Sequence, residues 1–140
     1  MAVIKQLADG SFGIEGALNG DGGFVPVPFV YTAAITSTTI FTADRGYVVK
    51  GIRGRVDVAG TGGACTAVVN KVPSGTALAS GTALHTGSFN LVGTALAQQA
   101  LTLSATASSL VLVAGDSIAI VLTGTATSAA GAITITLSPS

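Results

Sequence analysis

The sequence is poor in the residues from which most catalytic and metal sites are built. Its 140 residues include no tryptophan, one cysteine and one histidine, and only 9% are charged. A single cysteine cannot form an internal disulfide. One histidine and one cysteine are also too few for a three-ligand zinc site made of those residue types. The sequence has no Gly-x-x-x-x-Gly-Lys motif, which excludes a P-loop. We therefore expect a protein that is not an enzyme and that binds no metal or cofactor.

The isolated polar and reactive residues have structural interpretations. Cys65 is expected to be a small buried apolar side chain, because its surroundings lack the features that activate a thiol. His85 lies among Ala, Leu and Thr and is expected to be structural or exposed. Asp116 follows a glycine in a turn sequence and is expected to accept a backbone N–H. Residues 19–23, Asn-Gly-Asp-Gly-Gly, hint at a calcium loop but lack its spacing and closing glutamate.

The charge balance limits the partners that the chain can bind. Formal net charge is zero, so the protein has no overall basic character with which to hold phosphates, and we expect no nucleic-acid partner. Mean hydropathy is high, at +0.71, but no window of about 20 residues is predominantly large and apolar, so we expect no membrane span. The first residues lack the pattern of a signal peptide. A weakly charged surface is easily desolvated, which suits a subunit that packs on another protein.

The chain divides into two parts by composition. Residues 1–23 are rich in Gly and turn-forming residues but carry scattered apolar side chains, among them Phe12 and Ile14. We interpret this segment as an extended N-terminal arm that orders on a partner or a neighbouring subunit; a frayed terminus is the alternative. Residues 24–140 are expected to form a single domain.

That domain is predicted to be all-β, a jelly-roll-like antiparallel sandwich of about eight strands. Short strand-like runs recur about every ten residues with Gly-rich turns between them. Pro26 and Pro28 cannot donate to a ladder, so their strand is expected at a sheet edge. Residues 117–123 and 132–137 alternate as strands separated by a loop.

The clearest alternation lies in residues 47–60 and predicts a half-buried strand. The side chains predicted on its core face are Val48, Ile52, Val56 and Val58. The side chains predicted on its outward face are Tyr47, Arg53, Arg55 and Asp57. Lys50 is expected on the core face near the end of the strand.

Residues 73–103 contain Gly-Thr-Ala-Leu three times, on a six-residue grid. Hexads with an inward aliphatic residue are typical of left-handed β-helices, and Leu78, Leu84 and Leu96 fit that position. The matching stretch covers about one coil, too little for a stable solenoid. We favour short strands with Gly turns, while residues 95–103 could instead form a helical turn or two.

The basic residues are clustered. Four of the six lie between residues 45 and 55. They form either a solvated sheet face or a contact patch for an acidic protein surface. The residues predicted to make capsid or subunit contacts are Phe12, Ile14, Phe24, Phe29, Arg45, Tyr47, Arg53 and Arg55.

Residues 29–139 resemble a known family. Three motifs carry the resemblance: Lys-Val-Pro-Ser-Gly-Thr-Ala, Ala-Gly-Asp-Ser-Ile and Leu-Thr-Gly-Thr. These motifs and the regular spacing of the predicted strands are similar to those of the jelly-roll cement, or capsid decoration, proteins of tailed bacteriophages, a Bordetella phage among them. The resemblance implies a structural protein on the outer surface of the virion, made in the host cytoplasm. It implies binding to the phage major capsid protein and to itself, as a homodimer or alternatively a trimer.

Two other classes remain open at this point. One is a tail-fibre or baseplate module, which would form trimers and would not bind capsids. The other is a glycan-binding β-sandwich of a virion. Sugar sites usually stack their ligands on aromatic rings, and this chain has no Trp, two Tyr and five Phe.

Overall fold

The computed structural model describes residues 3–6, 12–15 and 23–140, with side chains from residue 23 onward. Its regular structure is almost entirely β. The strands are β1 Val3–Gln6, β2 Phe12–Glu15, β3 Val25–Ala33, β4 Thr38–Thr42, β5 Tyr47–Val58, β6 Cys65–Val72, β7 Thr82–Ala83, β8 Phe89–Asn90, β9 Gln98–Ala100, β10 Val111–Leu112, β11 Ser117–Gly124 and β12 Ala129–Pro139. Short 3₁₀ helices lie at Leu78–Ser80 and Ala107–Leu110. Within these ranges no helix is long and apolar enough to cross a membrane.

The strands from β3 onward form two antiparallel sheets. Sheet I has the order β10-β5-β12-β3, and β9 also pairs with β5. Sheet II has the order β4-β11-β6-β7, and β8 also pairs with β6. The two sheets pack face to face around one apolar core. The predicted all-β, jelly-roll-like sandwich is therefore confirmed.

The core is built by side chains that alternate along the central strands. In β12 the residues predicted to alternate do so, and Ile133, Ile135 and Leu137 are buried against the inward face of sheet II. Ile118 and Ile120 of β11, in sheet II, belong to the same core cluster. Full burial of one such side chain contributes about 1.5–3 kcal/mol, so these two strands supply much of the stability.

Strand β5 does not follow the simple alternation predicted for it. Its register against β12 shifts between Val49 and Gly51 and again between Val56 and Val58, which indicates two β-bulges. Each bulge adds a residue and so reverses the alternation. Tyr47 and Val49 therefore point into the core, whereas Val58 lies outward and is half exposed.

The predicted orientations of four β5 residues were wrong for this reason. Val48, expected on the core face, lies between the inward Tyr47 and Val49 and is only partly buried. Tyr47 is buried rather than outward, and Val58 is outward rather than buried. Lys50, expected on the core face, sits at the first bulge and is exposed. The predictions for Arg53, Arg55 and Asp57 are confirmed, because all three side chains are exposed.

The predicted edge strand is confirmed. Strand β3 pairs only with β12 in the described structure, and Pro26 and Pro28 lie opposite Thr136 and Thr134. A proline removes a ladder donor, and this is tolerated where the N–H would have pointed away from the sheet.

The repeats of residues 73–103 form no solenoid coil. They form the 3₁₀ helix at Leu78–Ser80 and the short strands β7, β8 and β9, as the preferred interpretation predicted. The helical alternative for residues 95–103 was wrong, because Gln98–Ala100 is a strand that pairs with β5. Of the leucines on the six-residue grid, Leu84 is buried and Leu96 is exposed.

The N-terminal segment was predicted to be an extended arm. In the structure, β1 and β2 pair with each other as an antiparallel two-stranded sheet, with Val3 opposite Glu15. The side chains of Phe12 and Ile14, and the predicted calcium-loop residues 19–22, lie outside the described part of the chain.

Candidate contact surface

The centre of the outward face of sheet II is covered by its own chain. Asn70 of β6 and Ala119 of β11 pair directly and point away from the core, yet only 6% and 0% of their surfaces are exposed. The 3₁₀ helix at Leu78–Ser80 packs on these two strands. The Asn70 Nδ2 group donates a hydrogen bond to the Leu78 carbonyl at 3.2 Å. This cover leaves little of the centre of sheet II available to a partner.

The outward face of sheet I is open in the described structure. Strand register places Val30, Ala132, Arg55 and Gln98 in one row across four strands. The next row consists of Pro28, Thr134, Arg53 and Ala100. The middle strand, β12, contributes only Ala and Thr side chains, so the face is flat and the arginines stand above it.

The two arginines flank a shallow depression of about 210 Å³. It is lined by Arg53, Gly54, Arg55, Gln98, Ala132 and Thr134. The Arg55 Nε group contacts the Asp57 carboxylate at 2.8 Å, whereas Arg53 has no carboxylate partner among the described residues. A guanidinium group can bind a carboxylate through two parallel hydrogen bonds. The depression therefore suits an acidic side chain of another protein.

Large apolar side chains lie beside the arginines. Val30 is 71% exposed, Val58 51% and Leu96 65%. The Leu96 N–H donates to the Val56 carbonyl at 2.7 Å, which holds Leu96 beside the end of β5. Leu96 has φ of 63°, in the left-handed region that non-glycine residues rarely occupy. None of the three was predicted as a contact residue, because alternation placed Val58 on the core face of its strand and no local pattern marks Val30 or Leu96 as exposed.

Arg45 is separated from this face. It precedes β5, whereas Arg53 lies eight residues further along, about 25 Å in an extended strand. Its Nε lies 3.6 Å from the Asp44 carboxylate. The Tyr47 hydroxyl donates to the same carboxylate at 2.7 Å, which lowers the pKa of Asp44 and raises the pKa of Tyr47. Arg45 thus belongs to the turn before β5, and Tyr47 is the first residue of that strand.

The predicted aromatic contacts differ in exposure. Phe24 is half exposed immediately before β3 and is available to a partner. Phe29 is partly buried against the core, and its ring stacks on Tyr31 with centroids 5.8 Å apart. Phe29 therefore contributes to packing inside the domain.

His85 completes a ladder of sheet II. Strand β6 pairs with β7 at Asn70 and Lys71 and with β8 at Thr66 and Ala67. Between these pairs, the Val69 N–H donates to His85 Nε2 at 2.9 Å. The other ring nitrogen, Nδ1, lies 3.2 Å from the Thr86 carbonyl, so it carries the proton. Burial lowers the pKa of His85 below its usual 6.5, which favours this neutral form.

The remaining residues considered for chemistry are structural. Cys65 is buried, and burial raises the pKa of its thiol. The Asp116 carboxylate accepts the Val113 N–H at 3.0 Å, as the turn prediction required. The described residues contain no cluster of three His, Cys, Asp or Glu side chains that could hold a metal.

Comparisons with known proteins give weak structural similarity only. No protein-family model matches the chain, and no curated protein matches it. A structure described as Bacillus endospore appendages, a family of disulfide-linked pili, is 20% identical, with a TM-score of 0.34 over 81% of this chain and 83% of that chain. Structures of the Gt and Gx strains of infectious bursal disease virus are 15% and 17% identical, with TM-scores of 0.36 and 0.34. Each match to the virus covers 81% of this chain but 32% of the viral chain. At these scores the matches assign no function.

Proposed function

We propose that this protein is a non-enzymatic cement protein that binds the outer surface of a phage capsid and joins neighbouring major capsid subunits. The observation that carries the proposal is the open outward face of sheet I. It presents an arginine pair and exposed apolar side chains, while the centre of the other sheet's outward face is covered by its own chain. The sequence resemblance to phage decoration proteins supports the same function.

The physical properties of this face suit adhesion between shell subunits. Burying apolar surface contributes about 25 cal/mol per Å² before entropy losses. Ala and Thr side chains on β12 allow close approach, because they are short and carry no charge. The arginines supply charge complementarity, which sets the orientation and the specificity of docking. Many copies on a symmetric shell would then hold it together by avidity.

Co-sedimentation tests the proposal directly. Purified protein is mixed with expanded heads that lack it, and bound copies are counted per head. We expect saturation at a fixed ratio to the major capsid protein. A correctly folded protein that does not bind would overturn the cement function, and a trimeric mass or binding on a glycan array would then favour the tail-fibre or glycan-binding alternative.

Charge-reversed variants test the proposed face. Arg53→Glu combined with Arg55→Glu should weaken head binding at least about tenfold at low salt, because like charges would meet an acidic surface. Arg45→Glu changes one charge of the same type outside the face and should bind nearly as wild type. Equal binding by the double variant, with saturation by wild type retained, would remove sheet I from the interface without removing the cement function.

A further inference from the structure

The charges of this chain are divided unequally between its N-terminal arm and its folded domain. The arm, residues 1–23, carries one lysine and three acidic residues, Asp9, Glu15 and Asp21, which gives a formal charge of −2. Residues 24–140 carry five basic and three acidic residues, which gives +2. The zero net charge of the chain is therefore the sum of two opposite charges, and this division favours contact between the two parts.

The acidic residues of the folded domain are already engaged by groups close to them in sequence. Asp57, for example, contacts Arg55 at 2.8 Å. Lys71 donates to two backbone carbonyls. Among the described residues this leaves Lys50 and Arg53, both exposed on β5, without a carboxylate partner. The acidic residues of the arm are the remaining source of such partners within this chain.

The strand register places the start of the domain within reach of these cations. Strand β3 begins at Val25, and Arg53 lies in the row of Pro28, two strands away across sheet I. Three residues along a strand and two strand spacings separate the two Cα atoms of Val25 and Arg53 by about 14 Å. An extended chain spans about 13 Å from Val25 to Asp21 and about 33 Å from Val25 to Glu15. The arm therefore reaches the outward face of its own sheet I.

The arm also contains a hairpin that needs a surface on which to pack. Strands β1 and β2 pair with Ile4 opposite Ile14 and Gln6 opposite Phe12. Positions that lie opposite each other, or two apart along a strand, share one face, so three large apolar residues occupy one face of the hairpin. An isolated two-stranded hairpin is marginally stable in water. The exposed apolar side chains beside the arginines offer the surface that such a hairpin requires.

We infer that in the free protein the N-terminal arm packs on the outward face of its own sheet I, with its acidic residues against Lys50 and Arg53. The same face is the proposed capsid contact. The arm and an acidic capsid surface therefore compete for it, and this competition rests on the proposed function. A free subunit keeps its apolar face covered, and binding to the capsid displaces the arm.

Carbodiimide coupling tests the contact, because it joins a lysine amine to a carboxylate only where the two groups meet. Thr134→Lys places an amine in the row of Arg53 on sheet I. Thr123→Lys places one at an exposed position of β11 in sheet II and is the matched control. Mass spectrometry should find amide bonds to acidic residues of the arm at least about fivefold more often in the first variant at low salt. Equal yields, or no coupling to the arm in either variant, would overturn the inference.

Two further coupling experiments test the charge pairing and the origin of the arm. In the Thr134→Lys background, Arg53→Gln combined with Arg55→Gln should lower the yield at least about threefold, because the attraction is removed. Arg45→Gln lies outside the face and should leave the yield unchanged. Mixed chains of normal and heavy isotope composition should give links only within one chain. An unchanged yield in the double variant would overturn the charge pairing, and links between isotopes would overturn packing of the arm on its own domain.

Head binding tests the competition. Asp9→Asn, Glu15→Gln and Asp21→Asn together remove the acidic groups of the arm, so this variant should bind expanded heads at least about threefold more tightly than wild type at low salt. An unchanged affinity, with circular dichroism showing a folded protein, would overturn the competition. Failure of wild type to bind heads would overturn the proposed function instead. The coupling yields are measured on the protein alone, so they decide in either case whether the arm packs on sheet I.

Discussion

The outward faces of the two sheets differ in how far the rest of the chain covers them. Sheet II is covered by the 3₁₀ helix at Leu78–Ser80, so that Ala119 is as inaccessible as a core residue. Sheet I has a similar run of small side chains on β12, yet it remains open and carries Arg53 and Arg55. Small side chains on a strand are therefore compatible either with cover by the same chain or with contact by another.

The difference identifies the face that is available for binding. The apolar surface of a covered face is already buried by its own chain, so a partner would bury little additional apolar surface there. An open face with few charges retains that surface for another protein. Substitutions on the two faces should therefore differ in their effect on the free energy of unfolding.

A matched pair of lysine substitutions contrasts the two faces. Ala119→Lys buries an unpaired charge beneath Leu78–Ser80 and should lower the free energy of unfolding by about 3 kcal/mol or more. Ala132→Lys on the open face should change it by no more than about 1 kcal/mol. Urea denaturation measures both. Equal destabilisation by the two substitutions would show that the faces do not differ in cover.

One hydrogen bond joins the 3₁₀ helix at Leu78–Ser80 to the sheet II strand that it covers, and a single substitution removes it. Asn70→Ala removes the donor to the Leu78 carbonyl and leaves that carbonyl without its partner. We expect a loss of about 1–2 kcal/mol in the free energy of unfolding. Thr66→Ala, outward on the same strand but away from the cover, should cost less than about 0.5 kcal/mol. Chemical denaturation of both variants makes the comparison; a smaller loss for Asn70→Ala would contradict it.

The ladder position of His85 predicts a pH dependence on the covered side of the molecule. Its folded-state pKa lies below 6.5 because of burial, so the unfolded state binds the proton first. Stability should be constant above about pH 6.5 and should fall as pH drops below that value, since protonated Nε2 cannot accept the Val69 N–H.

Denaturation midpoints between pH 7.5 and pH 5 measure this effect. His85→Gln retains an acceptor but does not titrate, so it should lose less stability over the same range. An identical decline in wild type and variant would assign the pH dependence to other groups.

The smallest effect on stability is expected at the open face. The charge-reversed Arg53 and Arg55 variant should melt within a few degrees of wild type, because exposed ion pairs such as Arg55–Asp57 contribute about 0–1 kcal/mol. Differential scanning calorimetry measures the change. A large drop in melting temperature would mean that these arginines stabilise the fold itself and would weaken the case for a binding role.

Much of the fold follows from local patterns. Alternation in β12, the prolines of β3 and the turn around Asp116 were all predictable, because each depends on residues close together in sequence. The phase of β5 was not predictable. Its bulges arise from pairing with β12, and each moves the side chains that follow to the other face.

The candidate surface was only partly predictable. Arg53 and Arg55 were identified by their clustering, but Arg45 was grouped with them although β5 extends away from it. Val30, Val58 and Leu96 were missed, since nothing local distinguishes an exposed valine or leucine from a buried one. Their exposure depends on which strands lie above and beside them.

The sequence by itself determined the β character, the turns, the edge position of β3 and the scarcity of charge, because each follows from backbone preference or composition. Only the tertiary structure decided which sheet face is covered, where the bulges reverse β5, and that His85 completes a ladder. These features depend on contacts between residues far apart in the chain, and no local pattern encodes such contacts.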